Sequence, residues 1–187
     1  MKIRCSWPGV DEKMIHYHDN EWGVPVCDDQ KHFEFLILDT FQAGLSWKTI
    51  LYRREGFRKA FAGFDVKKVS KYNEQKVEEL MQDERIIRNR LKITGTIKNA
   101  KAFIEIQKEY GSFNEYIWQF VNGKTIINKI KDISQIQATS AESDAMSKDL
   151  KKRGFTFVGS TICYAYMQAA GMVNDHLVTC FRHKEVL

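Results

Sequence analysis

The sequence predicts an all-α fold, and three observations support that class. Apolar residues recur at helical spacing over most of the chain beyond residue 28. Both prolines, Pro8 and Pro25, lie within the first 25 residues, so the strongest interior helix breaker is missing from the rest. No alternation of apolar and polar residues lasts long enough to build a sheet. The length of 187 residues predicts one domain, 1–187, made of two closely packed helical lobes.

The first predicted helices are defined by their capping residues. Asp28 or Asp29 can accept the first backbone N–H groups of a helix over 30–43, and Gly44 ends it. Ser46 then caps a second helix, whose apolar residues continue at helical spacing as far as residue 61. The stretch before these helices is non-periodic and carries no predicted helix.

The middle of the chain predicts four further helices. A short one begins at Asn73 and keeps its apolar residues on one side. A helix near 85–89 runs into a longer one through residue 110, and Gly111-Ser112 breaks the pattern there. Aromatic and aliphatic side chains line the next helix, over 113–120.

The last third of the chain predicts a loop over 121–138 and helices over 143–152 and 160–170. Between these helices, a short turn bounded by Gly154 and Gly159 resembles a helix-hairpin-helix element. Such glycines let the backbone approach a phosphate, and N–H groups at the start of the second helix point at it. An ordinary connection between helices is the alternative. Three cations precede the turn and would add positive charge: Lys151, Lys152 and Arg153.

Charge and apolar content limit the partners. With 29 basic and 24 acidic residues the net charge is +5, which is compatible with a phosphate backbone and also with ordinary solvated helix faces. No apolar run is long enough to span a bilayer, and the charged start Met1–Arg4 does not resemble a signal peptide. We therefore expect a cytoplasmic protein, and the absence of a dimer seam predicts a monomer. A second basic cluster lies in the middle of the chain: Arg85, Arg88, Arg90, Lys92 and Lys98.

Metal-type ligands lie at opposite ends of the chain. Cys5 and His18 are near the start, and His176 and Cys180 near the end are four residues apart, as on one face of a helix. Together they have the composition of a closed structural zinc site, which would join the two termini. The alternatives are buried cysteines that act as small hydrophobes, or disulfides, which a reducing cytosol disfavours.

Aromatic side chains and one carboxylate are candidates for ligand binding. Trp7, Tyr17, Trp22 and Trp47 lie in or near the non-periodic segment, and aromatic faces can hold a base extruded from a duplex. They could equally be core residues. Asp39 lies in an otherwise apolar helix, where a carboxylate is costly unless it is paired or borders a cavity. It is thus either a pocket carboxylate or one half of an ion pair.

Five segments, in order and nearly end to end, resemble the bacterial DNA-3-methyladenine glycosylase I family. The resemblance implies a helix-hairpin-helix DNA glycosylase fold, a structural Zn²⁺ on the four Cys and His ligands above, and a hairpin that anchors DNA between Gly154 and Gly159. The segments are Cys5-x-Trp7, the stretch Tyr17–Gly23, Gln42–Trp47, Lys151–Phe155 and Asn174–His176.

The resemblance also implies the activity. Members flip 3-methyladenine out of alkylated double-stranded DNA and hydrolyse its N-glycosidic bond, with no lysine to nick the strand. By position, the residues implied to be catalytic are Asp39 and Tyr17. Those implied to bind the base are Trp47, Trp7, Trp22, Met14 and Gln42. No lysine of the chain is expected in a buried setting that would lower its pKa for covalent chemistry.

Two departures from the family leave a second hypothesis open. Asp39 stands where we expect glutamate, which shortens its reach by about 1.5 Å, the length of one C–C bond. Met14 stands where we expect an aromatic residue. The chain could therefore be a zinc-stapled module that recognises lesions with weak or no excision. A zinc hydrolase or nucleobase deaminase fits poorly, because four protein ligands leave no position for a reactive water.

Overall fold

Capping side chains begin the helices where the sequence predicts them, in a computed structural model that describes residues 2–186. Asp28, rather than Asp29, caps the first predicted helix by accepting from the N–H of Lys31 at 2.8 Å. Ser46 and Asn73 cap theirs in the same way. The all-α class is confirmed. The helices are α1 (Glu12–Asn20), α2 (Asp29–Gln42), α3 (Trp47–Ala60), α4 (Val66–Val69), α5 (Glu74–Met81), α6 (Arg90–Tyr110), α7 (Phe113–Ile117), α8 (Ala141–Lys152), α9 (Ser160–Ala169) and α10 (Arg182–Glu185).

Two local predictions are wrong. The non-periodic N-terminal segment contains α1, which Asp11 caps by accepting from the N–H of Met14 at 3.0 Å. Residues 85–89 form a turn instead of a helix. The side chain of Asn89 caps α6, and its extended backbone separates α6 from the residues before it. The segment 121–138 is mostly irregular, as predicted, and its short strand β1 (Ile126–Ile127) pairs in parallel with β2 (Val173–Asn174).

Helix α2 forms the centre of the core. Every residue from His32 to Phe41 is buried, so this helix has no solvent face in that stretch. It packs on α3, α6, α7 and α9, and the apolar residues around it form one cluster. Side chains of α2 as far as Phe41, including Asp39, are therefore held inside the molecule.

The two ends of the chain meet on one side of the molecule. The N–H of Phe181 donates to the carbonyl of Ile3 at 2.9 Å, and the segment between β2 and α10 packs against the start of the chain. No helix within residues 2–186 is long and apolar enough to cross a membrane. The predicted domain 1–187 includes Met1 and Leu187, which lie outside the described residues.

Gly171 provides a test of how tightly the segment after α9 packs on the N-terminal half. Its φ is +69°, and a Cβ atom there would lie 2.3 Å from the carbonyl carbon of Val24. We expect Gly171→Ala to lower the free energy of unfolding by at least about 3 kcal/mol, because backbone strain and a clash add. Urea unfolding at 25 °C measures this.

Gly111→Ala is the matched control, since Gly111 has a φ of +86° but open space where a Cβ would lie. It should cost only about 1–2 kcal/mol, the strain of the left-handed conformation. Equal losses in the two variants would show that the close approach of Gly171 to Val24 carries no energetic weight.

Candidate active site

A cavity of about 300 Å³ opens between the N-terminal segment, the end of α2, the start of α3 and helix α9. Six residues predicted from the sequence line it: Trp7, Tyr17, Trp22, Asp39, Gln42 and Trp47. Four further lining residues were missed: Ile133, Ile136, Ala165 and Gln168. They come from distant parts of the chain, and no local pattern marks them as pocket residues.

Four aromatic residues line the cavity: Trp7, Tyr17, Trp22 and Trp47. The rings of Tyr17 and Trp47 lie 4.9 Å apart, centroid to centroid, and are tilted by 44°. Trp7 packs edge-to-face on Trp22 at 5.1 Å, which fixes both indoles. Such faces attract flat, electron-poor or cationic rings.

Within residues 2–186, three buried polar atoms of the residues in this wall have no hydrogen-bond partner. They are Oδ2 of Asp39 and the Nε1 atoms of Trp7 and Trp47. An unsatisfied buried polar group costs about 1–3 kcal/mol, and natural proteins contain few of them. Asp39, Trp7 and Trp47 thus border the cavity with hydrogen-bonding capacity that the described residues leave unused.

Burial strongly affects the two ionisable residues of the cavity. Asp39 is 2% exposed, and its burial raises the pKa of its carboxyl well above the usual value, while the charge of Arg54 opposes this shift. Burial and the neighbouring Asp39 also raise the pKa of Tyr17. Without a ligand, the cavity thus favours the neutral form of Asp39.

Arg54 belongs to an ion-pair network behind Tyr17 that the sequence analysis missed. Its guanidinium binds Glu21 and Glu34, both at 2.8 Å, and it is itself buried. These carboxylates compensate most of the charge of Arg54. Asp39 therefore has a cation in its surroundings but no direct partner.

Gln168 is held in place from below the cavity. Its Nε2 donates to Asp175 at 2.8 Å, and the same carboxylate accepts from Tyr164 and Asn128. Asp175 is buried and does not line the cavity, so it supports the wall.

Met14, predicted to bind the base, is buried but is not among the residues that line the cavity.

The turn between α8 and α9 carries the residues predicted to bind DNA. Lys151 and Lys152 are exposed, Gly154 has a φ of +92°, and Gly159 occupies the N-cap position of α9. Arg153 is instead bound to the protein, because its guanidinium pairs with two carboxylates and lies over two tyrosine rings. These partners are Glu109, Asp149, Tyr110 and Tyr116.

The expectation that no lysine lies in a buried setting that lowers its pKa is wrong for Lys92. Lys92 is 7% exposed, and burial lowers its pKa below the ordinary value. Its Nζ donates to the carbonyls of Phe41 and Ala43 at 2.8 and 2.7 Å. In the sequence, Lys92 looks like part of an exposed basic cluster. In the fold, the backbone at the end of α2 covers it.

The four predicted metal ligands lie together, buried, with their ligand atoms all within 4.8 Å of one another. The Sγ atom of Cys180 lies 3.5 Å from Nε2 of His18 and 3.7 Å from Nδ1 of His176, which is also 3.7 Å from Sγ of Cys5. Tetrahedral zinc requires about 3.6 Å between sulfur and nitrogen ligands. The cluster can therefore hold a metal ion. His176 and Cys180 lie on a turn, not on the helix that their spacing predicted.

Both histidines have a partner for their second ring nitrogen. Nδ1 of His18 contacts Asp19 at 2.8 Å, and Arg4 holds this carboxylate in turn. Nε2 of His176 lies 3.0 Å from the carbonyl of Trp22. Such outer contacts orient histidines in metal sites, and here they connect the cluster to the cavity wall through Trp22.

Comparisons with known proteins agree over nearly the whole chain. A family model described as methyladenine glycosylase matches residues 7–183. The chain is 49% identical over 177 residues to DNA-3-methyladenine glycosylase 1 of Escherichia coli (strain K12), and the match covers 95% of each protein.

Solved structures give the same result. One of a 3-methyladenine DNA glycosylase I matches with a TM-score of 0.94 at 46% identity, covering 96% of this chain and 98% of the other. A second, of a variant 3-methyladenine DNA glycosylase I in complex with 3-methyladenine, matches with a TM-score of 0.93 at 32% identity, covering 95% and 96%.

The unpaired carboxyl of Asp39 predicts a pH-dependent stability. Because its pKa in the folded protein lies above the ordinary 3.8, the native state binds more protons than the unfolded chain in that interval. Stability therefore falls as pH rises from about 4 through the raised pKa, and Asp39→Asn lacks this loss.

We expect Asp39→Asn to exceed the wild type in free energy of unfolding by at least about 1.4 kcal/mol at pH 8, the equivalent of one pKa unit. Urea unfolding of both proteins at several pH values from about 4 to about 8.5, an interval that begins at the ordinary pKa of aspartate, measures the difference. A difference that stays constant over this range would contradict an ionisation penalty at Asp39.

Proposed function

The chain belongs to the methyladenine glycosylase family, and from this we infer that it is a monofunctional DNA-3-methyladenine glycosylase. It hydrolyses the N-glycosidic bond of 3-methyladenine in alkylated DNA and thereby starts base-excision repair. The observation that carries this function is the buried carboxyl of Asp39, which borders an aromatic cavity and has no hydrogen-bond partner for Oδ2 within residues 2–186.

The substrate needs little chemical assistance. A methyl group on N3 gives the adenine of the nucleotide a positive charge. When the bond from N9 to the sugar C1′ breaks, its electron pair moves to N9 and neutralises the ring, while the oxygen of a water bonds to C1′ and loses a proton to solvent. The enzyme mainly extrudes the nucleotide and holds the cationic base, which is what this cavity is built to do.

Asp39 and the aromatic residues act on the base directly. A cation next to Asp39 lowers the pKa of its carboxyl, so binding converts it to the carboxylate. That carboxylate accepts from N–H groups of the base and stabilises its positive charge. Tyr17 and Trp47 contact the ring faces, and Trp7, Trp22 and Gln42 complete the wall. Met14, outside the wall, supports α1 and not the base itself.

Double-stranded DNA is the proposed partner, bound through the helix-hairpin-helix turn between α8 and α9. Lys151 and Lys152 are exposed there, and Gly154 and Gly159 leave space for a phosphate beside the backbone. Arg153 is already paired, so its role is to fix the turn on α6 and α8. We further propose that the protein acts as a monomeric single domain in the cytoplasm.

The four-ligand cluster is proposed to hold a structural Zn²⁺. Two thiols and two imidazoles suit this ion, and the sulfur–nitrogen distances fit tetrahedral coordination. Bound there, the ion would cross-link the two ends of the chain. Because Trp22 contacts His176 and also lines the cavity, the metal would stabilise the wall without taking part in the reaction.

The lesion-recognition module remains the second candidate because of the short reach of Asp39. In that case the carboxyl binds the base but stabilises it too weakly for excision. Such a protein binds methylated duplex DNA in a salt-sensitive way without releasing base.

Base release from methylated duplex DNA tests the function. We expect free 3-methyladenine and an intact strand from the wild type. Trp47→Ala and Asp39→Ala should reduce the rate at least about 100-fold, since each removes direct contact with the base. Chromatography of the released base gives the rates, and Trp118→Phe, remote from the cavity, should behave as the wild type.

Wild-type rates in Trp47→Ala and Asp39→Ala would reject the assigned cavity. No release by the wild type, together with new release by Asp39→Glu, would establish the recognition module instead.

Substitution of a metal ligand tests the zinc proposal. Elemental analysis should give about one zinc per chain for the wild type and a clear loss for Cys180→Ser, with a lower thermal midpoint, because a closed site contributes to folding. Cys163→Ser alters a cysteine outside the cluster and should keep the zinc. Equal zinc contents in Cys180→Ser and the wild type would refute the assignment.

A further inference from the structure

Lys92 is the one buried lysine within residues 2–186. It lies in the first turn of α6, where a cation opposes the positive end of the helix dipole. It also does not line the cavity. Neither its own helix nor the reaction accounts for a buried ammonium at this position.

The end of α2 accounts for it. A helix leaves its last carbonyls without intrahelical partners, and the last turn of α2 contains no basic residue. The ammonium of Lys92 donates to the carbonyls of Phe41 and Ala43. The carbonyl of Gln42, between them, accepts from the N–H of Leu45 at 2.6 Å. Lys92 thus supplies the cation that the end of α2 lacks.

These bonds hold a short connection with little packing of its own. Residues 43–46 join α2 to α3, and Gly44, Leu45 and Ser46 are exposed. A Cβ atom at Gly44 would meet nothing within 4 Å. Packing alone therefore does not fix this segment.

The connection separates the two halves of the base-binding wall. Asp39 and Gln42 lie in the last turn of α2, and Trp47 is the first residue of α3. Any change in the path of 43–46 changes the distance between these side chains. Resting on the function proposed above, we propose that Lys92 is a positioning residue that sets Trp47 against Asp39 for base release.

This role differs from two others open to a lysine in a glycosylase. A nucleophile would need to reach C1′ of the nucleotide, yet the amine does not line the cavity and is bound to two carbonyls. A phosphate contact would need an exposed ammonium, and Lys92 is buried. Each alternative predicts a different result in the experiment below.

Three variants isolate the effect. Lys92→Met removes the charge and the donors, Lys92→Arg keeps a cation with donors, and Lys108→Met removes an exposed lysine of the same helix as the control. The measurements are single-turnover base release with enzyme in excess, tryptophan quenching by free 3-methyladenine, binding to unmethylated duplex, and thermal midpoint.

We expect Lys92→Met to release base at least about tenfold more slowly per folded molecule and to bind free 3-methyladenine more weakly, because small displacements of contact groups are costly. Binding to unmethylated duplex should not change. Lys92→Arg should release base at least about threefold faster than Lys92→Met, since it retains cationic donors. Lys108→Met should match the wild type.

Several results would overturn the proposal. One is a folded Lys92→Met that keeps the wild-type rate, even with a lower thermal midpoint. Another is an equal loss of binding to unmethylated duplex, which would indicate a phosphate contact. A borohydride-trapped covalent adduct with wild-type Lys92 would indicate a nucleophile. If Lys92→Met does not fold, Lys92→Gln takes its place with the same criteria. Absence of release by the wild type would count against the proposed function, not against Lys92 alone.

Discussion

The buried setting of helix α2 is the constraint on which the site depends. Two of its carboxyl groups lie inside the protein, and they differ in their partners. Burial raises the pKa of Glu34, but hydrogen bonds from Arg54 and Arg58 outweigh it and bring the value to about 2. Asp39, five residues further along, has no such partner and keeps a raised pKa. One helix thus carries a satisfied carboxylate that stabilises the fold and an unsatisfied carboxyl that awaits a cationic ligand.

The cavity around Asp39 is assembled by long-range contacts that fix each wall separately. The cluster of Cys5, His18, His176 and Cys180 joins the termini and holds the wall that contains Trp22. Ion pairs behind Tyr17, hydrogen bonds beneath Gln168 and the ammonium at the end of α2 fix the others. A rigid wall keeps donors and acceptors in position without a ligand, so binding need not reorganise them.

Much of this could be predicted from the sequence, because caps, apolar spacing and residue types are local signals. Asp28, Ser46 and Asn73 marked helix starts correctly, and most residues of the cavity wall were identified. The rest depends on tertiary contacts. Nothing local distinguishes Lys92 from its exposed basic neighbours, and nothing links Gln168 to the cavity or places Met14 outside it.

A crystal structure of the protein with free 3-methyladenine would show which groups of the cavity bind the base. We expect the base inside the cavity, in contact with the rings of Tyr17 and Trp47, with an N–H group within hydrogen-bond distance of the carboxyl of Asp39. If a water bridges the base and Asp39 instead, the carboxyl is still hydrogen-bonded. Such a water would show that the aspartate side chain is too short for direct contact. A base bound elsewhere, with the carboxyl of Asp39 still unpaired, would reject this cavity as the base-binding site.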